Sequence, residues 1–180
     1  GAGVRVAVLD TGATDHPDLA GAIVASRDFT GSFYGATDKQ GHSTHVCGIV
    51  GARANDKGVI GGAPECELIA GKVLGDNGSG DGRGIAEGIR WAVAEKADII
   101  NMSLGSPSED PQIAAAVRSA VAAGVFVICA AANEGRENSV NYPAKMPEVL
   151  AISATTQSGQ LARFSSRGPE VDICAPGVKI

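Results

Sequence analysis

The chain has 180 residues, of which 44% are hydrophobic and 19% are charged, and its formal charge at pH 7 is −5. This length and apolar content favour one folded domain over residues 1–180 and exclude disorder. The acidic balance argues against nucleic acid as the main partner, and no apolar run approaches the roughly 18 residues of a membrane span.

Short apolar segments alternate with helical periodicity along the chain. Helices are predicted from near His42, over residues 84–96 and over residues 110–123. Five apolar runs predict buried strands over residues 4–9, 67–74, 97–104, 125–132 and 149–155. Strands that alternate with helices imply βαβ units, so the predicted fold class is α/β: three layers, with a mostly parallel sheet between helices.

Asp10 follows the first predicted strand and begins an Asp-Thr-Gly sequence. The carboxyl ends of parallel strands are where functional groups gather, so this aspartate is a candidate site residue. An aspartic protease would need a second such carboxylate on an all-β frame, and only one copy occurs. A phosphoryl-transfer enzyme with Asp10 as nucleophile would need a second acidic residue at Asp-x-Asp spacing, and the sequence has none there. Taken alone, an aspartate that caps a turn remains the simplest interpretation.

A glycine-rich segment, residues 75–82, lies between a predicted strand and a predicted helix. Phosphate loops occur at such places, but the lysine of the P-loop and the Gly-x-Gly-x-x-Gly spacing are both missing. Its two aspartates, Asp76 and Asp81, would repel phosphate. A surface loop and a glycine-lined edge for an extended peptide are the remaining interpretations.

Two of the three histidines, His42 and His45, lie in Gly-His-Ser-Thr-His-Val-Cys-Gly. A zinc helix would need His-Glu-x-x-His, which this spacing does not supply. A histidine at a helix start is commonly structural. Beside a strand-end aspartate such as Asp10 it predicts a catalytic base, because a carboxylate can hold the tautomer of an imidazole and stabilise its charged form.

The four cysteines form no Cys-x-x-Cys pair, which excludes a metal knuckle and a small disulfide framework. Each has apolar neighbours in the sequence, so buried free thiols are expected. The four are Cys47, Cys66, Cys129 and Cys174.

Seven segments in chain order resemble motifs of the subtilisin-like serine proteases (subtilases, peptidase S8). They are residues 6–12, 41–48, 100–105, 130–135, 142–144, 164–169 and 175–177. The resemblance implies a subtilisin-like fold and a serine endopeptidase with an Asp-His-Ser triad. In it, Asp10 would orient His42, His42 would be the general base and later acid, and Asn133 would donate to the oxyanion.

The resemblance also implies a groove for an extended peptide. Its residues would be Gly78, Ser79, Gly80, Ser103, Leu104, Gly105, Ala131, Ala132 and Asn141. Ser43, Ala132 and Ser106 stand where the family has glycine, which bears on substrate preference. The family's nucleophile, in Gly-Thr-Ser-Met-Ala, does not occur among the 180 residues. We therefore expect that these 180 residues lack the C-terminal segment that carries the serine and that they are inactive alone. The alternative is that the protein is a non-catalytic pseudoprotease that binds peptides.

A structural calcium site is a further implication of the resemblance. Asp18 and Asn55 would contribute side chains, and Arg53, Lys57 and Val59 would contribute backbone carbonyls, the hard oxygen ligands that calcium prefers. A turn capped by Asp18 is the alternative. The expected partners are a peptide or protein substrate, a propeptide and the C-terminal segment, with neither nucleic acid nor membrane. The resemblance favours secretion, with an intracellular location as the alternative.

Overall fold

The computed structural model describes residues 1–180 and contains one seven-stranded sheet in which every strand pair is parallel. Its order is β2-β3-β1-β4-β5-β6-β7. This confirms the predicted α/β class. The strands are β1 (Arg5–Asp10), β2 (Ile23–Asp28), β3 (Glu67–Lys72), β4 (Ile99–Met102), β5 (Phe126–Ala130), β6 (Leu150–Thr155) and β7 (Ile173–Pro176).

Three α-helices occur where periodicity predicts them: α1 (His42–Gly51), α2 (Gly82–Ala94) and α3 (Pro111–Ala122). A single turn of 3-10 helix spans Pro17–Leu19. Asp81 and Asp110 cap α2 and α3 by accepting hydrogen bonds from backbone N–H groups of the first turn. None of these helices is long and apolar enough to cross a membrane.

Alternate residues of β1 pack into two separate cores on the two faces of the sheet. Ala7 and Leu9 pack in the core that contains α2 and α3, whereas Val6 and Val8 pack in the core that contains Cys47 of α1. Successive side chains of a strand point to opposite faces, so α1 lies across the sheet from α2 and α3. The chain therefore has the three layers that the alternation of strands and helices predicts.

Two strands escape sequence prediction, and both lie at an edge of the sheet. β2 alternates partly buried and exposed residues, and β7 is exposed at three of its four positions. Edge strands are buried on fewer sides, so they lack the continuous apolar run that marks a central strand. The expectation of four buried thiols is wrong at one position: Cys174, on β7, is exposed, while the other three free cysteines are buried.

Three neighbouring strand ends form the edge at which the site lies. β1 ends at Asp10, β3 ends at Lys72 and β4 ends at Met102, in the spatial order β3-β1-β4. Helix α1 begins beside them at His42. The topology thus brings together segments that are far apart in the sequence.

Candidate active site

Asp10 and His42 form a hydrogen-bonded pair at the end of β1. Asp10 is fully buried, and its carboxylate oxygens Oδ1 and Oδ2 lie 2.8 and 2.9 Å from His42 Nδ1. The N–H of Thr11 donates to Oδ1 at 2.7 Å. The His42 side chain is 44% exposed, so one face of this pair is closed by the core while the other reaches solvent.

Side chains outside α1 hold its first turn in place. Its N-cap, Gly41, has φ of 90°, which glycine adopts without strain, and it provides no side chain to cap the helix. The first three N–H groups donate instead to Gln40 Oε1 (2.9 Å), Thr11 Oγ1 (3.0 Å) and Asp38 Oδ2 (2.9 Å). These hydrogen bonds satisfy N–H groups that have no partner within the helix, and they fix the position of His42.

Asp38 is a site residue that sequence reasoning missed. It is buried and accepts hydrogen bonds from the Thr11 hydroxyl (2.9 Å), the Gly41 N–H (2.8 Å) and the Thr44 hydroxyl (2.6 Å). The Gln40 and Thr44 N–H groups donate to it as well. An aspartate shortly before a helix start is a capping signal, and it could have revealed this residue.

Burial and hydrogen bonding act differently on the two carboxylates. At Asp10, burial raises the pKa and outweighs the lowering by His42 and Thr11. At Asp38, burial also raises the pKa, but hydrogen bonds from Thr44, Gly41 and Thr11 together outweigh it and lower the pKa to about 2. Hydrogen bonds to a carboxylate favour its charged form.

A cleft of about 570 Å³ opens beside His42. Its rims include two predicted substrate-binding segments, residues 78–80 and 103–105, and Leu74, Ile85 and Ile113 contribute apolar surface between them. An extended peptide is the kind of ligand that such a groove fits. The structure therefore brings six of the nine predicted groove residues together with the Asp10–His42 pair.

The remaining predicted groove residues and Asn133 lie after β5, outside the lining of this cleft. Ala131 is buried, Asn133 is exposed, and the Asn141 N–H donates to the Ala131 carbonyl at 3.0 Å. Ala132 has φ of 103°, a conformation that favours glycine and explains why the family's motif has glycine there. The oxyanion role of Asn133 stays a prediction.

No serine of the chain hydrogen-bonds the His42 ring, whose partner is Asp10 alone. Ser165 and Ser166 are buried, and their hydroxyls accept from the N–H groups of Ala154 and Glu134. In the cleft, the Ser103 hydroxyl accepts from the Asn101 side chain at 3.1 Å. None of these three hydroxyls contacts His42.

The predicted calcium residues surround the buried Asp18. Its Oδ2 accepts from the Val59 N–H at 3.0 Å, and Asn55 Oδ1 accepts from the Lys57 N–H at 3.2 Å. The Arg53 guanidinium donates to three backbone carbonyls. No three His, Cys, Asp or Glu side chains cluster for a metal, so calcium here would need the backbone carbonyls. Asp18 Oδ2 and Asn55 Oδ1 each already accept a backbone N–H, and calcium binding at this loop stays a prediction.

Comparison with known proteins identifies the family of the chain. The model of the subtilase family matches residues 1–179. The chain belongs to the subtilase family.

Three relatives show how much of such proteins the chain represents. It is 48% identical to the thermostable alkaline protease of Halalkalibacterium halodurans, with all of the chain and 49% of that protein covered. In Bacillus subtilis it is 44% identical to the major intracellular serine protease and 43% identical to the minor extracellular protease Epr, covering 60% and 28% of them. The chain thus spans about half the length of the first of these relatives, and the family includes intracellular and extracellular members.

Proposed function

We propose that the full-length protein is a serine endopeptidase in which Asp10 and His42 form the orienting and basic parts of a catalytic triad. The observation that carries the proposal is the buried Asp10 carboxylate, with both oxygens within 2.9 Å of His42 Nδ1. This contact fixes the ring orientation and leaves Nε2 as the nitrogen available for proton transfer. The serine protease names of the relatives support the same activity.

In the proposed mechanism, a serine from sequence outside these 180 residues supplies the nucleophile. Its oxygen attacks the scissile carbonyl while its proton passes to His42 Nε2, and Asp10 stabilises the imidazolium that forms. Asn133 donates a hydrogen bond to the oxyanion. His42 then gives the proton to the leaving amine, and water hydrolyses the acyl-enzyme by the same steps. The 180 residues alone are therefore expected to be inactive.

The proposed substrate is an extended segment of peptide or protein that lies between the segments 78–80 and 103–105. Such a segment can bind as an added strand, with its backbone N–H and C=O groups paired to those of the two rims. A propeptide would occupy the same groove in this way. Ala131, Ala132 and Asn141 are proposed to complete the groove beyond Gly105.

Calcium is proposed as a structural ion in the loop that surrounds Asp18. Asp18, Asn55 and the carbonyls of Arg53, Lys57 and Val59 would hold it, and it would stabilise that loop without entering the reaction. Binding to the native state alone raises the melting temperature. We expect millimolar calcium, compared with chelator, to raise the melting temperature of the full-length protein and to leave that of Asp18→Ala unchanged. Equal responses would contradict this site.

The proposed activity is tested with the full-length gene product and a serine-directed fluorophosphonate, whose attachment point is located by mass spectrometry. We expect the wild type to be labelled at one serine and His42→Ala to lose labelling and peptide hydrolysis. His45→Ala is the matched control, because this exposed histidine lies three residues away on the same helix. Unlabelled wild type that still binds peptides would favour the non-catalytic pseudoprotease instead.

A further inference from the structure

Lys72, the last residue of β3, is a fully buried lysine. Lysine is almost never buried unless its charge is paired, because removing an ammonium group from water is costly. The Nζ atom donates to the Thr11 carbonyl at 2.6 Å and lies 2.9 Å from Asp76 Oδ1. The ammonium group therefore joins the residue after Asp10 to the loop that follows β3.

Asp76 belongs to the segment that forms one rim of the cleft. Its second oxygen, Oδ2, accepts from the Ser32 hydroxyl at 2.9 Å. The hydrogen bonds from Lys72 and Ser32 hold the pKa of Asp76 below its ordinary value. A carboxylate that stays ionised keeps its hydrogen bond with the ammonium group in the strong, charge-assisted form.

The loop itself is held in shape by short internal hydrogen bonds. The Gly75 N–H donates to the Ser79 carbonyl (2.8 Å), the Gly78 N–H donates to the Gly75 carbonyl (2.9 Å), and the Ser79 N–H donates to Asn77 Oδ1 (2.9 Å). Such local bonds open more often when a loop loses its attachment to the rest of the protein. The contacts of Asp76 with Lys72 and Ser32 therefore help to set where residues 78–80 lie relative to His42.

We propose that Lys72 is a positioning residue, which acts through Asp76 to set the distance between the 78–80 rim of the cleft and the Asp10–His42 pair. The inference rests on the proposed peptidase function, since it assigns that rim to substrate binding. Lys72 touches neither substrate nor reacting atoms. Its effect should appear with substrates long enough to contact the rim and be absent with those that are too short.

The test compares Asp76→Ala with wild type in the full-length protein, using two chromogenic peptide anilides with one or four residues on the acyl side of the scissile bond. We expect kcat/KM for the longer substrate to fall about tenfold, mainly through KM, the size expected for one charge-assisted hydrogen bond. The value of kcat/KM for the short substrate should not change. Asp76→Asn, which keeps an acceptor for Lys72, should recover part of the loss.

Glu87→Gln is the control, because it removes an i,i+4 ion pair with Arg83 that lies exposed on α2. Glu87→Gln should leave kcat/KM unchanged for both substrates. Hydrogen exchange supplies a readout that does not need activity: the Gly75 and Gly78 amides should exchange faster in Asp76→Ala, and the His42 amide should not. This readout decides the inference even where the single variant weakens the fold.

Two failures can be told apart by these measurements. A wild type that cleaves neither anilide contradicts the proposed function, while the exchange of the Gly75 and Gly78 amides still decides the role of Lys72. If the wild type is active, the inference is overturned when Asp76→Ala lowers kcat/KM equally for both substrates. It is also overturned when Asp76→Ala lowers kcat/KM for neither. Unchanged amide exchange in Asp76→Ala overturns it as well.

Discussion

The end of β1 and the turn before α1 each bury an aspartate that hydrogen-bonds Thr11, yet the two carboxylates differ in their ionisation. Asp10 accepts from the His42 ring and the Thr11 N–H, and its pKa is raised because burial outweighs these contacts. Asp38 accepts five hydrogen bonds, and its pKa falls to about 2 despite burial. Asp38 has more donors and is less deeply buried than Asp10, and both differences lower its pKa relative to that of Asp10.

The difference matches two different tasks. A carboxylate that orients a base must accept a hydrogen bond from that base and stabilise the charge that the base gains. A carboxylate that fixes a helix start needs permanent donors and a permanent charge. We therefore expect changes at Asp10 to affect the proposed activity and changes at Asp38 to affect stability.

The largest expected effect is on the activity of Asp10→Asn. The amide replaces one acceptor oxygen with a donor and favours the wrong tautomer of His42, so we expect kcat to fall roughly 10⁴-fold. Stability should hold, since a neutral amide avoids the cost of burying a charge. Hydrolysis rates and urea unfolding measure the two quantities, with the exposed Asp15→Asn as control. A stability loss as large as that of Asp38→Asn would break the comparison.

Asp38→Asn should have the second largest effect, on the free energy of unfolding. The new NH₂ group would replace either Oδ1 or Oδ2, and both oxygens accept from N–H and O–H donors. Some of these donors therefore lose their acceptor. We expect a loss of about 3 kcal/mol, with a smaller effect on kcat than in Asp10→Asn. Urea unfolding of the full-length protein measures it. A loss no larger than in Asp15→Asn would show that these hydrogen bonds contribute little.

The pH dependence of stability should separate the two carboxylates by sign. The pKa of Asp38 is about 2 in the folded protein against an ordinary 3.8, so its contribution is present above pH 3.8 and disappears as the pH falls through 2. The stability difference between wild type and Asp38→Asn should shrink by about 2 kcal/mol over that window.

At Asp10 the sign is opposite. Its raised folded pKa means that its contribution is present below the ordinary value of 3.8 and is lost as the pH rises through the folded pKa. Asp10→Asn should thus gain stability relative to wild type as the pH rises above 3.8. Unfolding measured at a series of pH values checks both variants, and slopes of the same sign would contradict the comparison.

The smallest expected effect concerns Thr11, whose hydroxyl connects the two regions. It donates to Asp38 and accepts from the Ser43 N–H, so Thr11→Val leaves the buried Ser43 N–H without a partner and removes one of the five hydrogen bonds to Asp38. We expect a loss of about 1 kcal/mol or more, while Thr11→Ser, which keeps the hydroxyl, should stay near wild type. Equal melting temperatures for the two variants would exclude a role for the hydroxyl.

Sequence patterns located the central part of the fold. Continuous apolar runs mark β1, β3, β4, β5 and β6 because these strands are buried on both faces, and periodicity marks the helices because each buries one side. The edge strands β2 and β7 gave no such signal. The motif order identified the subtilase family, which the comparison confirmed, and it singled out Asp10 and His42 as the candidate catalytic pair.

Other parts of the site depend on contacts between distant segments. A capping signal before α1 can point to Asp38, but it does not indicate that this carboxylate accepts five hydrogen bonds. Lys72 stands in an apolar run, and nothing local indicates that its ammonium group is fully removed from water. Each acts on Thr11, which is 27 residues from Asp38 and 61 from Lys72. Sequence spacing cannot reveal such pairs, because the parallel topology creates them.

The sequence by itself therefore determined the α/β architecture, the family and the residue types of the proposed catalytic pair, since burial patterns and motif order are local properties of the chain. The tertiary structure decided which carboxylate is surrounded by donors, which lysine is buried, and how the 78–80 rim is joined to the end of β1. Those properties are set by hydrogen-bond partners that come from different strands and loops and meet only at the carboxyl edge of the folded sheet.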